Sequence, residues 1–204
     1  PTTRYAHGVL GDDEEWGALI LDLACDDCDA DTPRQVLIRL PQTRVFEDVA
    51  PRLADIDGDG QPEAIVVESD QSQGARLAVY DETGLRAATP FIGRSFRWLA
   101  PLGAADLDGD GLVEIAYIDR PHLARTLRVW RLEDGDLVEL AQMPGLTNHR
   151  IGERDIAGGI RDCGAGPEMI LADTSWSRLV SVTFDGQGLT ARDIGPHRDR
   201  ASFA

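Results

Sequence analysis

The sequence has no lysine at all and a single asparagine, Asn148, which precedes His149 and so forms no Asn-x-Ser/Thr sequon. Its 20 basic residues are all arginines, against 36 acidic ones, for a net charge of −16. A chain this acidic has no basic footprint for backbone phosphates, which excludes nucleic acid as a partner. Long apolar runs are missing too. No stretch approaches the ~20 residues that a membrane-crossing helix needs. Amphipathic helical periodicity is absent, and so are a G-x-S-x-G elbow, a Walker loop and an H-E-x-x-H motif. Global disorder is excluded by an ordinary hydrophobic fraction of 42%. One domain is the default for an all-β chain of 204 residues.

Cysteine is scarce, with Cys25, Cys28 and Cys163 the only three. Cys25 and Cys28 form a C-x-x-C run in an acidic loop, Cys25–Asp31, between two strand-like stretches. Neither the βαβ context of a redox C-x-x-C nor the second ligand pair of a zinc knuckle accompanies it. The favoured reading is a local disulfide that clips the loop, which fits an oxidising compartment such as a periplasm or the cell exterior. Two reduced thiols in a cytosolic protein is the alternative. Cys163 is then left over, either buried or paired differently. The chain begins at Pro1 rather than Met, in keeping with a trimmed N-terminus, so the lack of a leader says nothing about location.

What the sequence has in pattern is aspartate. Asp55-Ile-Asp57-Gly-Asp59-Gly60-Gln-Pro-Glu63 recurs 51 positions later as Asp106-Leu-Asp108-Gly-Asp110-Gly111-Leu-Val-Glu114. Alternate aspartates place hard oxygens on one side of a tight loop, and the glycines permit φ > 0. An acidic surface turn needs far less charge, because three carboxylates within five residues repel one another. Several hard, negative oxygens suit Ca²⁺; Mg²⁺ prefers to keep its waters.

The first six residues of each run match the start of an EF-hand loop, but position 12, which should be a bidentate Glu, is Val66 or Tyr117. The acid stands at position 9 instead. The stretches after the acid, Ala64–Glu68 and Ile115–Ile118, are short and rich in β-branched residues and read as strand. Two strand-connecting Ca²⁺ loops are therefore expected. Their side-chain ligands are Asp55, Asp57, Asp59 and Glu63 in one and Asp106, Asp108, Asp110 and Glu114 in the other. The backbone carbonyls of Gln61 and Leu112, at position 7, are added by analogy with other Asp-rich loops.

These loops in their strand context, Ala54 to Val67 and Ala105 to Tyr117, resemble the FG-GAP/VCBS repeats of integrin α-subunit propellers and of many secreted bacterial proteins. The resemblance implies a β-propeller with Ca²⁺ in loops between neighbouring strands of a blade. It implies no activity.

Used as a ruler, the spacing of 51 divides the chain into four units, a period in the range of propeller blades. The expected fold is one all-β domain over 1–204, a propeller of four blades with four antiparallel strands each, at approximately 1–49, 50–97, 98–147 and 148–204. Two of the units are worn copies. Gly166-Pro-Glu168-Met-Ile-Leu-Ala-Asp173 parallels Gln61 to Glu68 but keeps only Asp162 and Glu168 of the ligand set, so no tight metal is expected there. Upstream, Gly8 to Trp16 is acidic but wrongly spaced, a metal-free turn. Among the expected strands are Arg4–Leu10, Arg44–Asp48 as the last of the first unit, and Ile151–Gly158 as the first of the fourth. A fragment of a larger ring completed by another chain is the alternative.

His7 and His149 each precede a unit's first loop, and in a closed ring they approach each other near the channel, beside Arg150, Glu153 and Asp155. That is either a small-molecule or anion site or a pair of ordinary strand-end histidines. Trp16, Trp98, Trp130 and Trp176 occur about once per unit and read as packing between units. The main functional expectation is a calcium-binding, non-catalytic module in the periplasm or outside the cell, binding another protein. Alternatives are an accessory subunit associated with an envelope or membrane complex, and an enzyme, a lyase or hydrolase, with its site in the channel. Propellers host many functions, so fold alone does not choose between them.

Overall fold

A computed structural model of the chain describes residues 1–23 and 35–203. The Cys25–Asp31 loop lies outside them. The described residues are all-β, with four separate antiparallel sheets, no α-helix and one 3-10 turn at Arg200–Phe203. Among the described residues no helix is long and apolar enough to cross a membrane.

The first sheet pairs β1 (Ala18–Asp22) with β2 (Gln35–Arg39). The second holds β3 (Arg44–Phe46), β4 (Arg52–Ala54), β5 (Glu63–Asp70), β6 (Gly74–Asp81) and β7 (Gly84–Ala88). The third is a plain meander of β8 (Leu99–Ala105), β9 (Glu114–Asp119), β10 (Thr126–Glu133) and β11 (Asp136–Pro144). The fourth holds β12 (Leu146–Thr147), β13 (Gly159–Asp162), β14 (Pro167–Asp173), β15 (Arg178–Phe184) and β16 (Leu189–Pro196). The sheets thus contain two, five, four and five strands, rather than four each.

The two extra strands have one cause. In the third sheet β8 runs beside β9 with only a bulge between Pro101 and Gly103. In the second sheet the same edge of β5 is shared by β3, opposite Glu68–Asp70, and β4, opposite Glu63–Ile65. Residues 47–51 are looped out between them. In the fourth sheet β12 and β13 share β14 in the same way around residues 148–158. This corrects two expected strands. Arg44–Phe46 pairs within the second sheet instead of closing the first, and Ile151–Gly158 is a loop interrupting an edge strand. Gly158 lets the chain re-enter: its φ is +76°, and a Cβ there would lie 2.1 Å from the Ile170 carbonyl oxygen. The expected strand Arg4–Leu10 is absent, and the N-terminal segment is tied instead by a bridge between Thr2 and Glu15.

The sheets pack face on face. Ala64 and Val66 of β5 join Phe46, Ala78 and Tyr80 in a cluster with Leu19, Leu21 and Ile38 of the first sheet. The alternate residues Ile65 and Val67 face the third sheet, with Leu77, Val79, Leu99, Ile115 and Tyr117. Beyond it, Ala116 and Ile118 pack with Leu127, Met169, Leu171 and Val182 of the fourth sheet. Strands buried on both faces explain why β5 and β9 read as unbroken apolar runs without alternation. Each fully buried Leu, Ile or Val contributes about 1.5–3 kcal/mol. Val9 and Leu10 of the N-terminal segment also belong to the core between the second and third sheets. That segment reaches the fourth unit, where the Gly152 N–H donates to the Val9 carbonyl at 3.0 Å.

Trp98 and Trp130 pack in this core as expected. Trp16 does not, standing 55% exposed, and Trp176 lies under the Arg150 guanidinium at 4.1 Å. Cys163 is exposed rather than buried, and it has no disulfide partner among the described residues.

Candidate metal centres

The two Asp-rich loops connect β4 to β5 and β8 to β9, each joining an edge strand to the buried strand beside it. Their internal hydrogen bonds match atom for atom. Glu63 is buried at the start of β5, and its Oε2 accepts the Ile56 N–H at 2.8 Å; Glu114 accepts the Leu107 N–H at 2.7 Å. Asp55 accepts from Gly58 and Gly60 at 2.8 and 3.0 Å, and Asp106 from Gly109 and Gly111 at 2.7 and 2.9 Å. Asp57 and Asp108 each accept the N–H two residues on at 3.2 Å. The glycines at positions 4 and 6 have φ between 79° and 92° and open space where a Cβ would be, so backbone conformation rather than crowding requires glycine there.

The folding of each loop brings Asp55, Asp57 and Glu63 together, and likewise Asp106, Asp108 and Glu114, with one carboxylate oxygen from each residue within 4.8 Å of the others. Each set can hold a metal ion. Asp59 and Asp110 stand outside these triads at the exposed tips, where they accept the N–H groups of Gln61 and Leu112 at 2.7 and 2.9 Å. Gln61 and Leu112 are themselves exposed at position 7. Burial pushes the Glu63 carboxyl above the usual range, and the neighbouring aspartates add to it. Burial raises Glu114 as well, against the opposing pull of Arg131. A cation held among these oxygens would remove the cost of burying like charges together.

Arginines complete both loops, and no motif in the sequence marks them. Arg131 stands directly across from Glu114 in the β9–β10 pairing. Its Nε donates to Glu114 Oε1 at 2.6 Å, and its terminal nitrogens lie 3.1 Å from Asp108 and 2.9 Å from Asp110. The first loop has only Arg86, 3.6 Å from Asp57. No spacing rule picks out Arg131, because only strand register carries it to Glu114. The worn third copy uses an arginine too: Glu168 pairs with Arg161 at 2.8 Å and accepts the Ser181 hydroxyl.

His7 and His149 approach the same region through intermediaries. His7 Nδ1 lies 2.6 Å from Glu47 Oε1, while His149 Nδ1 lies 3.0 Å from His122 Nε2. Glu153 joins them through its carbonyl, 2.9 Å from His149 Nε2.

No curated protein sequence matches the chain. Residues 53–117, which run from β4 through both Asp-rich loops into β9, match the family model of the FG-GAP-like repeat. Residues 53–117 thus carry an FG-GAP-like repeat, which spans the two acidic loops.

Proposed function

We propose that this chain is a calcium-stabilised, non-catalytic β-propeller that serves as a protein-interaction module in the periplasm or outside the cell. The observation that carries the reading is the duplicated carboxylate triad, Asp55–Asp57–Glu63 and Asp106–Asp108–Glu114, built on the same hydrogen bonds in both copies. The donors are all hard, anionic oxygens, the chemistry that suits Ca²⁺. Asp59, Asp110 and the carbonyls of Gln61 and Leu112 complete each proposed set. A bound ion would neutralise buried carboxylates and tie the edge strand of each sheet to its neighbour, so binding energy becomes folding energy. The four stacked sheets are the proposed blades, with the N-terminal segment joining the first unit to the fourth.

Elemental analysis and calorimetry of protein purified without chelator test this reading. Two Ca²⁺ per chain are expected, and EGTA lowers the Tm by several degrees or more. An unchanged melting curve, with no calcium bound, overturns it. A protein partner is sought by crosslinking in the native envelope fraction, with capture that Ca²⁺ promotes as the expected result.

A further inference from the structure

At the end of β9 opposite its Asp-rich loop lies a cavity of about 380 Å³, a volume that suits a small organic ligand. Arg97, Arg120, His7 and His122 line it, and no carboxylate does. Asp119 already pairs with Arg120 at 2.8 and 2.9 Å from behind, so Arg97 is the positive charge of the lining that no carboxylate among the described residues offsets, in a chain with 36 acidic and 20 basic residues. Val9, Phe96 and Trp98 form apolar walls.

The polar groups are held in place from behind. Glu47, fully buried, lies 2.6 Å from His7 Nδ1 through one oxygen and accepts the Ser69 hydroxyl on the other at 2.5 Å; burial raises its carboxyl, and a protonated Glu47 donates to Nδ1 and leaves His7 Nε2 as an N–H donor. His7 Nε2 has no hydrogen-bond partner among the described residues. On the facing wall, His149 Nε2 meets the Glu153 carbonyl at 2.9 Å and must carry a proton to do so. In the neutral ring, His149 Nδ1 then accepts from His122 Nε2 at 3.0 Å, which leaves His122 Nδ1 as an acceptor. Burial, with His149 second, holds His122 down at about 4, so the pair is neutral at physiological pH. Arg97 donates to the Phe96 carbonyl at 2.8 Å and forms no ion pair among the described residues. Phe96 and Arg120 are two of the five non-glycine residues with left-handed φ among the described residues, at 53° and 46°. Such backbone costs of order 1–3 kcal/mol each and clusters at ligand sites.

We propose that this cavity binds a small organic anion, a carboxylate on an apolar or aromatic body, with its head on Arg97 and His7 and its body against Phe96 and Trp98. The site is independent of the metal loops, which lie about 20 Å away at ~3.3 Å per residue of β9. Calorimetry and protein-observed NMR on the full, calcium-loaded chain test it, with phenylacetate as the probe and benzylamine as a cation of matching shape. Phenylacetate is expected to bind in the millimolar range or tighter and to shift the ring signals of His7 and His122, while benzylamine does not bind. Arg97→Gln, with its Tm unchanged, weakens binding about tenfold or more, the loss of one charged partner. His7→Gln weakens it too, and Arg94→Gln, outside the cavity, leaves it as it was. Absence of phenylacetate binding, equal binding of benzylamine, or unchanged affinity in Arg97→Gln overturns the proposal.

Discussion

Glu15 shows how a single residue sets a pH dependence. Its carboxyl is buried at the bridge to Thr2 and is pushed up to about 9, by desolvation first and then by Glu47, Asp12 and Asp48. The folded chain therefore holds a proton that the unfolded chain releases above about 4.3. Between that pH and about 9 the folded state binds more protons, so this residue's contribution falls as pH rises. Glu15→Gln is expected to raise the Tm by several degrees at pH 8 and to leave it unchanged at pH 4, as read by differential scanning calorimetry. Asp173 has the opposite sign. Its burial favours the neutral form, but hydrogen bonds from Ser175, Arg178 and Ser177 outweigh it and bring the carboxyl to about 2. Asp173→Asn should therefore cost stability at neutral pH, and the difference from the parent should shrink as pH falls from 4 toward 2. The carboxylates of the repeat were legible because their spacing is local. The environment of Glu15 was not, because its burial is made by residues distant in sequence, whereas Asp173 is set by a turn formed by Ser175, Ser177 and Arg178 just after it.

At the scale of elements, the β9–β10 register makes the two metal loops unequal. Arg131 places a fixed positive charge among Asp108, Asp110 and Glu114, whereas Ala64, next to Glu63, faces Tyr80 of β6. If both loops take Ca²⁺, the first should bind it more tightly. Arg131→Met is expected to tighten the second site by about tenfold or more in a calorimetric titration, since a charge a few ångströms away is worth a few kcal/mol near a protein surface. The same variant should lower the Tm of the calcium-free protein, because three carboxylates lose their counter-charge. Arg86→Met should do much less, its contact being a single one at 3.6 Å. Most strands could be read from β-branched runs bounded by turn residues, and the expected stretches Ala64–Glu68 and Ile115–Ile118 fall within β5 and β9. The interruptions at 47–51 and 148–158 could not, since a loop inside an edge strand differs from a strand only in what its backbone pairs with.

The whole molecule is a stack of sheets whose cores are shared between successive repeats. Val9 and Leu10 sit in the core of the second and third sheets, far from both in sequence. Leu10→Ala is expected to cost about 2–4 kcal/mol in urea unfolding, as a buried leucine truncation does, with a single transition showing that the sheets unfold together. The sequence by itself determined the repeat, the all-β class, the carboxylate loops and the strands after them. Each of these rests on chemistry within a dozen residues: repulsion among aspartates, glycine at positive φ, β-branched runs. Tertiary structure alone decided which edge Arg44–Phe46 joins, where Arg131 stands, and that His7, Arg97, Arg120 and His122 line one cavity. Those outcomes depend on strand register and sheet stacking, which bring together residues that no local pattern links.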